Sequence, residues 1–168
     1  MKDLEKKTCR IGLVQAEPVL FNKKASLEKA MGYIYEAAKN GAELIVFPEL
    51  FIPGYPVGMN FGFSVGKRTE PGREDWKRYY DASAVAGAEE LMQIAEAARR
   101  TGTFISIGFS ERDAVGGTLY NSNAIFEPDG SYKVIASSSL RARRGLSGET
   151  PTSITFRSQI HPGDQSAA

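Results

Sequence analysis

The residue best placed to do chemistry is Glu49, within Gly41-Ala42-Glu43-Leu44-Ile45-Val46-Phe47-Pro48-Glu49-Leu50-Phe51-Ile52-Pro53-Gly54-Tyr55-Pro56. The apolar run at 44–47 reads as a strand buried on both faces, and it delivers the carboxylate at its C-terminal end, where α/β folds place their sites. Pro48 has no N–H to donate to a ladder and biases Phe47 toward extended geometry. Phe47, Leu50, Phe51 and Ile52 form an apolar frame that would strip water from the carboxylate and suit it to general-base work. The same pattern also fits a glutamate that is merely the first exposed residue after a strand. Glu111 is a second carboxylate and a candidate substrate-binding group, with pairing to Arg112 or a backbone amide as the structural alternative. Tyr55 and Trp76 could wall an apolar pocket, although Trp76 suits equally well an anchor on an amphipathic helix or an interface. The one thiol, Cys9, precedes the first apolar run and has no neighbour that would favour a thiolate, so it reads as structural. His161 stands without ligand spacing, no metal motif is present, and Gly62, Gly66 and Gly72 do not form a phosphate-cradling pattern.

The elements that must position these groups follow from periodicity. Ile11-Gly12-Leu13-Val14-Gln15 reads as a strand ending near Pro18. Over 25–40, Leu27, Met31, Ile34 and Ala38 recur at helical spacing and Gly41 supplies the stop. Residues 51–80 are rich in Gly, Pro and aromatics and too long for a bland connector, so they form a functional loop or contain short helices. A second helix is predicted over 84–100, with Leu91, Ile94, Ala95 and Ala98 on one face and Gly102 after it, then a strand over 103–109. Two further strands, 119–126 and 132–135, flank the turn signal Pro128-Asp129-Gly130 as a hairpin. The order β-α-β-loop-α-β-β-β implies an α/β layered domain. From 136 the character changes to scattered Ser, Arg, Gly, Pro and Thr without periodicity, so residues 1–135 are expected to form the domain and 136–168 to be a disordered tail.

The stretch from Gly41 to Pro56 closely resembles the first signature of the nitrilase superfamily: Gly, two spacers, a buried apolar run, Pro-Glu, then Gly-Tyr-Pro. The likeness extends from Ile11-Gly12-Leu13-Val14-Gln15-Ala16 through Ile107-Gly108-Phe109-Ser110-Glu111-Arg112 and Leu119-Tyr120-Asn121-Ser122 to Asp129-Gly130. The resemblance implies a four-layer α-β-β-α sandwich, incomplete here, and a catalytic Glu-Lys-Cys set. In that set the glutamate deprotonates the cysteine thiol, the thiolate attacks a nitrile carbon to give a thioimidate, the lysine stabilises charge, and water releases acid and ammonia. Glu49 matches the general base, and Tyr55 matches the tyrosine packed beside it.

The chain departs from the family where the lysine should stand. A His-Arg-Lys-Leu segment is expected soon after the Asp-Gly turn, but Ile135-Ala136-Ser137-Ser138-Ser139-Leu140 occupies its place, and no cysteine follows Cys9. Codons compatible with Ile135 to Thr150, read one base earlier, spell HRKLVPTGEERLIWGD, which is that lysine segment with its usual continuation. The C-terminal stretch is therefore expected to be out-of-frame translation beginning just after Val134.

The expected activity of the intact parent is hydrolysis of a non-peptide carbon–nitrogen bond, nitrile to carboxylic acid plus ammonia, because Pro-Glu-x-x-Ile-Pro-Gly-Tyr-Pro is typical of the nitrilase branch. The alternatives are amidase, carbamoylase or cyanide-hydrating activity, or a non-catalytic fragment that associates with intact subunits. The resemblance implies no cofactor, no metal, a small nitrile or amide as substrate, and a homo-oligomeric parent. Net charge is +1, with 42% hydrophobic and 24% charged residues, a balance that points to neither nucleic acid nor a membrane surface as partner. With a single cysteine, no apolar run near the roughly 20 residues of a membrane span, and no apolar segment behind the N-terminal lysines, a cytoplasmic location is expected. A shortened chain is further expected to leave the strands at 44–47 and 103–109 without partners or cover, and to aggregate.

Overall fold

A computed structural model describes residues 8–59, 61, 69–140 and 155–157. Three parallel strands come first: β1 (Ile11–Leu13), β2 (Leu44–Val46) and β3 (Phe104–Arg112). Parallel neighbours need crossover connections, and helices supply them. α1 (Lys23–Lys39) links β1 to β2, while α2 (Glu70–Ala82) and α3 (Glu89–Thr101) lie between β2 and β3. From β3 the chain turns antiparallel through β4 (Leu119–Phe126), β5 (Tyr132–Leu140) and β6 (Thr155–Arg157), giving a six-stranded sheet in sequence order.

Local chemistry sets the helix ends. The Asn22 side chain accepts a hydrogen bond from the Ala25 N–H at 3.0 Å, capping α1, and Gly41 at φ +81° takes the chain out of it. α3 carries Glu89 and Glu90 in its first turn and Arg99 and Arg100 in its last, which complements the helix dipole, and it ends on left-handed Gly102. Both helices bury one stripe, Leu27, Ala30 and Ile34 of α1 and Leu91, Ile94, Ala97 and Ala98 of α3, against the same sheet face. Ile45, Ile105, Ile107, Phe109, Ala124, Phe126 and Val134 complete this core. Each large side chain fully buried there stabilises the fold by about 1.5–3 kcal/mol. Truncating Ile107, which is 0% exposed, would leave a cavity at the centre of the sheet.

The opposite sheet face is open over two rows, before the strand end where the 48–50 loop covers Gly108. Strand register aligns Ile11, Leu44 and Phe104 in one row and Leu13, Val46, Ser106 and Ile125 in the next. Of these, Leu13 is 77% exposed, Ile11 52%, Phe104 45% and Ile125 37%. Among the described residues no helix covers this face, so the chain presents one helical layer and one sheet, half of a four-layer sandwich.

Several expectations need correction. β2 and β3 do have ladder partners on both sides, since β1 flanks β2 and β4 flanks β3. Their helix-side face is also covered. The 51–80 stretch does contain a helix, one of its two expected forms, α2, which runs on to Ala82, whereas the helix predicted over 84–100 begins only at Glu89. The delay arises because Ala84 bonds to β3 instead, its N–H to the Ser110 carbonyl at 3.0 Å and its carbonyl to the Arg112 N–H at 2.6 Å. β5 runs past Ile135 to Leu140 because β4 offers a matching ladder as far as Leu119, across an irregularity at Asn121/Ser122. Apart from residues 155–157, which form β6, the stretch from 141 onward, including His161, lies outside the described residues. No described helix is long and apolar enough to cross a membrane.

Candidate active site

The ladder between β2 and β3 extends one step beyond β2, through the Phe47 N–H to the Ser106 carbonyl at 2.8 Å. Pro48 then has no donor and the chain leaves the sheet. It returns at Ile52, whose N–H reaches the Gly108 carbonyl at 3.3 Å and whose carbonyl accepts from the Ser110 N–H at 2.8 Å. The intervening loop carries Glu49 at its crest. Leu50 follows in the left-handed region at φ +49°, unfavourable for a branched residue, and is held there by complete burial and by its carbonyl accepting from the Gly54 N–H at 2.9 Å.

The loop lies directly against β3 because residue 108 is glycine. A Cβ there would stand 2.6 Å from the Leu50 nitrogen, 2.7 Å from the Glu49 Cα and 2.8 Å from the Pro48 oxygen, all backbone atoms. Glu49 itself is exposed. The frame of Phe47, Leu50, Phe51 and Ile52 is buried, with the Phe47 and Phe51 rings edge-on at 5.1 Å, but it packs into the core and does not enclose the carboxylate. The desolvation expected from sequence is thus absent among the described residues. What the carboxylate does receive is a hydrogen bond: the Asn121 Nδ2–H donates to Glu49 Oε1.

The other candidates are placed as follows. Glu111 is 6% exposed and accepts from the Ser122 hydroxyl at 2.6 Å, not from Arg112, whose guanidinium lies 5.1 Å from the centre of the Tyr80 ring. Successive residues of a strand face opposite ways, so Asn121 and Ser122 bring their two glutamates to opposite sides of β4. Tyr55 is 52% exposed in the loop beyond Glu49. Trp76 lies half-buried on α2, edge-on to Phe61 at 5.4 Å, an anchor for that helix.

Sequence reasoning missed Tyr79. It is 1% exposed, its hydroxyl donates to the Gly54 carbonyl at 3.2 Å, and Phe21 meets it edge-on at 5.8 Å. Burial pushes its phenol up to about 12, the Ser110 hydroxyl pulls the other way, and the nearby Tyr55 and Glu49 add to the rise. Tyr79 therefore ties α2 to the loop carrying Glu49 as a neutral donor. Ser83, just beyond α2, adds a hydrogen bond to Ser110 at 2.8 Å.

Cys9 does not join this arrangement. It is exposed, and partial desolvation together with the adjacent Glu43 carboxylate pushes its thiol up, against thiolate formation. Glu43 precedes β2 and Glu49 follows it, so Cys9 and Glu49 sit at opposite ends of the parallel strands. Among the described residues no group of three or more His, Cys, Asp or Glu could hold a metal.

Comparison with known proteins places the chain in a family. The family model for carbon-nitrogen hydrolases matches residues 10–163. The chain is 44% identical over 121 residues to an aliphatic nitrilase of Sinorhizobium fredii, covering 72% of this chain and 39% of that protein. It is 40% identical over 123 residues to nitrilase 2 of Arabidopsis thaliana, covering 73% and 36%. The chain thus spans well under half the length of these curated relatives. Among solved structures, a CN-hydrolase superfamily protein from Xanthomonas campestris matches with a TM-score of 0.56 at 19% identity, over 77% of this chain and 40% of that one. A carbon-nitrogen hydrolase from Helicobacter pylori gives a TM-score of 0.52 at 20% identity, over 82% and 42%. At such identities the structural likeness speaks for the fold, a partial α-β-β-α sandwich, and the sequence likeness for descent. By the family model and the sequence likeness, the chain belongs to the carbon–nitrogen hydrolase family, the nitrilase superfamily.

Proposed function

We propose that the chain is the N-terminal portion of a nitrilase and that Glu49 is its general base. The observation that carries the reading is Glu49 standing exposed where a Pro-terminated strand leaves the sheet, within a sequence 44% identical to a nitrilase. In the intact parent, Glu49 takes the proton from a cysteine thiol and the thiolate attacks the nitrile carbon, forming a thioimidate. A lysine stabilises the charge that develops; one water displaces ammonia to leave a thioester, and a second cleaves the carbon–sulfur bond, releasing the carboxylic acid and the thiol. This chain supplies the base but not the nucleophile, since its single cysteine is Cys9 at the far end of the sheet. Alone it is inactive.

The test has two arms. The chain as it stands, given a panel of aliphatic and aromatic nitriles, releases no ammonia above background. A gene with the reading frame restored after Val134 yields a protein that does, and Glu49→Gln in that protein abolishes turnover. Turnover by the present chain, or an active restored protein indifferent to Glu49→Gln, overturns the proposal. Amidase, carbamoylase or cyanide-hydrating activity shares Glu49, and amides, carbamoyl compounds and cyanide in the panel separate those outcomes.

A further inference from the structure

We infer that Asn121 and Gly108 together form a positioning device for Glu49, an inference that rests on the reading of Glu49 as general base. Two independent features converge on one residue. From below, the hydrogen atom that replaces a side chain at Gly108 lets β3 run against the backbone of Pro48, Glu49 and Leu50, at distances no Cβ could occupy. That contact fixes the height of the Glu49 Cα above the sheet. From the side, the Asn121 amide on β4 donates to Oε1.

β4 carries that donor as a strand paired on both sides, Asn121 with Ser110 of β3 and with Ser138 of β5. The amide is a neutral donor. Among the described residues, the bond engages Oε1 and not Oε2. One oxygen is thereby anchored, which assigns the other as the proton acceptor. An exposed glutamate without this anchor would sample several rotamers, and a general base must be within hydrogen-bond reach of the proton it takes. Gly108 acts on the Glu49 backbone and Asn121 on its carboxylate, from β3 and β4, which already pair with each other. Ser122, the next residue, serves Glu111 on the opposite face, so disturbing one pair need not disturb the other.

The test needs no substrate. In the 15N-labelled chain, one Asn121 Nδ2 proton is expected downfield of ordinary exposed amides, and to exchange with water on the order of tenfold more slowly than they do. Glu49→Ala returns it to the ordinary range. Gly108→Ala does the same without touching either side chain, because the loop is lifted off β3, while Ser122→Ala leaves the resonance in place. Should Gly108→Ala fail to fold, Glu49→Asp, which withdraws the carboxylate by one methylene, is expected to release the proton in a folded chain. An Asn121 resonance indifferent to Glu49→Ala or Glu49→Asp overturns the inference, and one indifferent to a folded Gly108→Ala removes Gly108 from it. If the frame-restored protein proves inactive, the proposed function fails while this resonance still reports whether the device exists.

Discussion

Gly108→Ala is the sharpest perturbation this fold offers. The added methyl would meet three backbone atoms at 2.6, 2.7 and 2.8 Å. Ordinary contact begins near 3.4 Å, so the Pro48–Leu50 backbone must retreat by somewhat under 1 Å, and no flexible side chain can yield in its place. Overpacking of that kind costs about 1–3 kcal/mol. The retreat also stretches the Ile52–Gly108 and Ser110–Ile52 hydrogen bonds, each worth about 1 kcal/mol net. Against this stands the gain from a less flexible unfolded chain, about 0.4–1 kcal/mol for a glycine replaced by alanine. The balance is a destabilisation of about 2–4 kcal/mol. Gly32 is the matched control, because it lies exposed inside α1 and a Cβ added there would meet nothing within 4 Å. Gly32→Ala should gain about 0.5–1 kcal/mol. Urea unfolding followed by circular dichroism measures both, with the midpoints moving in opposite directions at a shared slope. A Gly108→Ala midpoint equal to wild type, with the Gly32→Ala midpoint raised, would refute the close approach of β3 to the Glu49 loop.

Three further outcomes are expected. Tyr79 keeps its proton to about 12 in the folded chain, against about 10 when unfolded; its contribution is complete below pH 10 and drains away as pH rises toward 12, so the advantage of wild type over Tyr79→Phe, about 1 kcal/mol at neutral pH, should shrink across that window in pH-dependent melts. Burial would raise the Glu90 carboxyl, but the Lys23 ammonium 2.8 Å away, with a backbone hydrogen bond and the Arg112 charge, outweighs burial and holds it below the usual range. Lys23→Met should therefore cost about 0.5–1 kcal/mol at pH 7, a gap that closes as pH falls through the acidic range in which Glu90 takes up its proton. Asn22→Ala removes the cap on the Ala25 N–H and should cost about 1 kcal/mol, seen as a lower urea midpoint with the sheet signal intact.

Much of this architecture was legible in the residues. The helical stripe of α1, its Gly41 stop, the β4–β5 hairpin around Asp129-Gly130, and the emergence of Glu49 after Pro48 all follow from local rules. The environment of Glu49 did not, because the apolar residues beside it in sequence turn inward and the carboxylate turns out, a distinction set by the left-handed Leu50 and the return at Ile52. Asn121 and Gly108 were visible but unweighted. A glycine in the middle of an apolar strand signals a close backbone approach, and polar residues at alternate positions of β4 mark one face of that strand. Tyr79 lay in a stretch with many aromatics, and only the docking of α2 shows which of them is buried. The delayed start of α3 depends on Ala84 bonding to a strand far along the chain, which no local pattern encodes.

The open sheet face leaves a calorimetric signature. Leu13, Ile11, Phe104 and Ile125 are already wetted in the native chain, so unfolding newly hydrates less hydrocarbon than it would in a protein sheathed on both sides. The heat-capacity increment should therefore fall below the usual value of roughly 12–15 cal/mol/K per residue. A smaller increment flattens the free-energy curve against temperature, moving cold unfolding further below freezing and leaving a broad, shallow stability maximum.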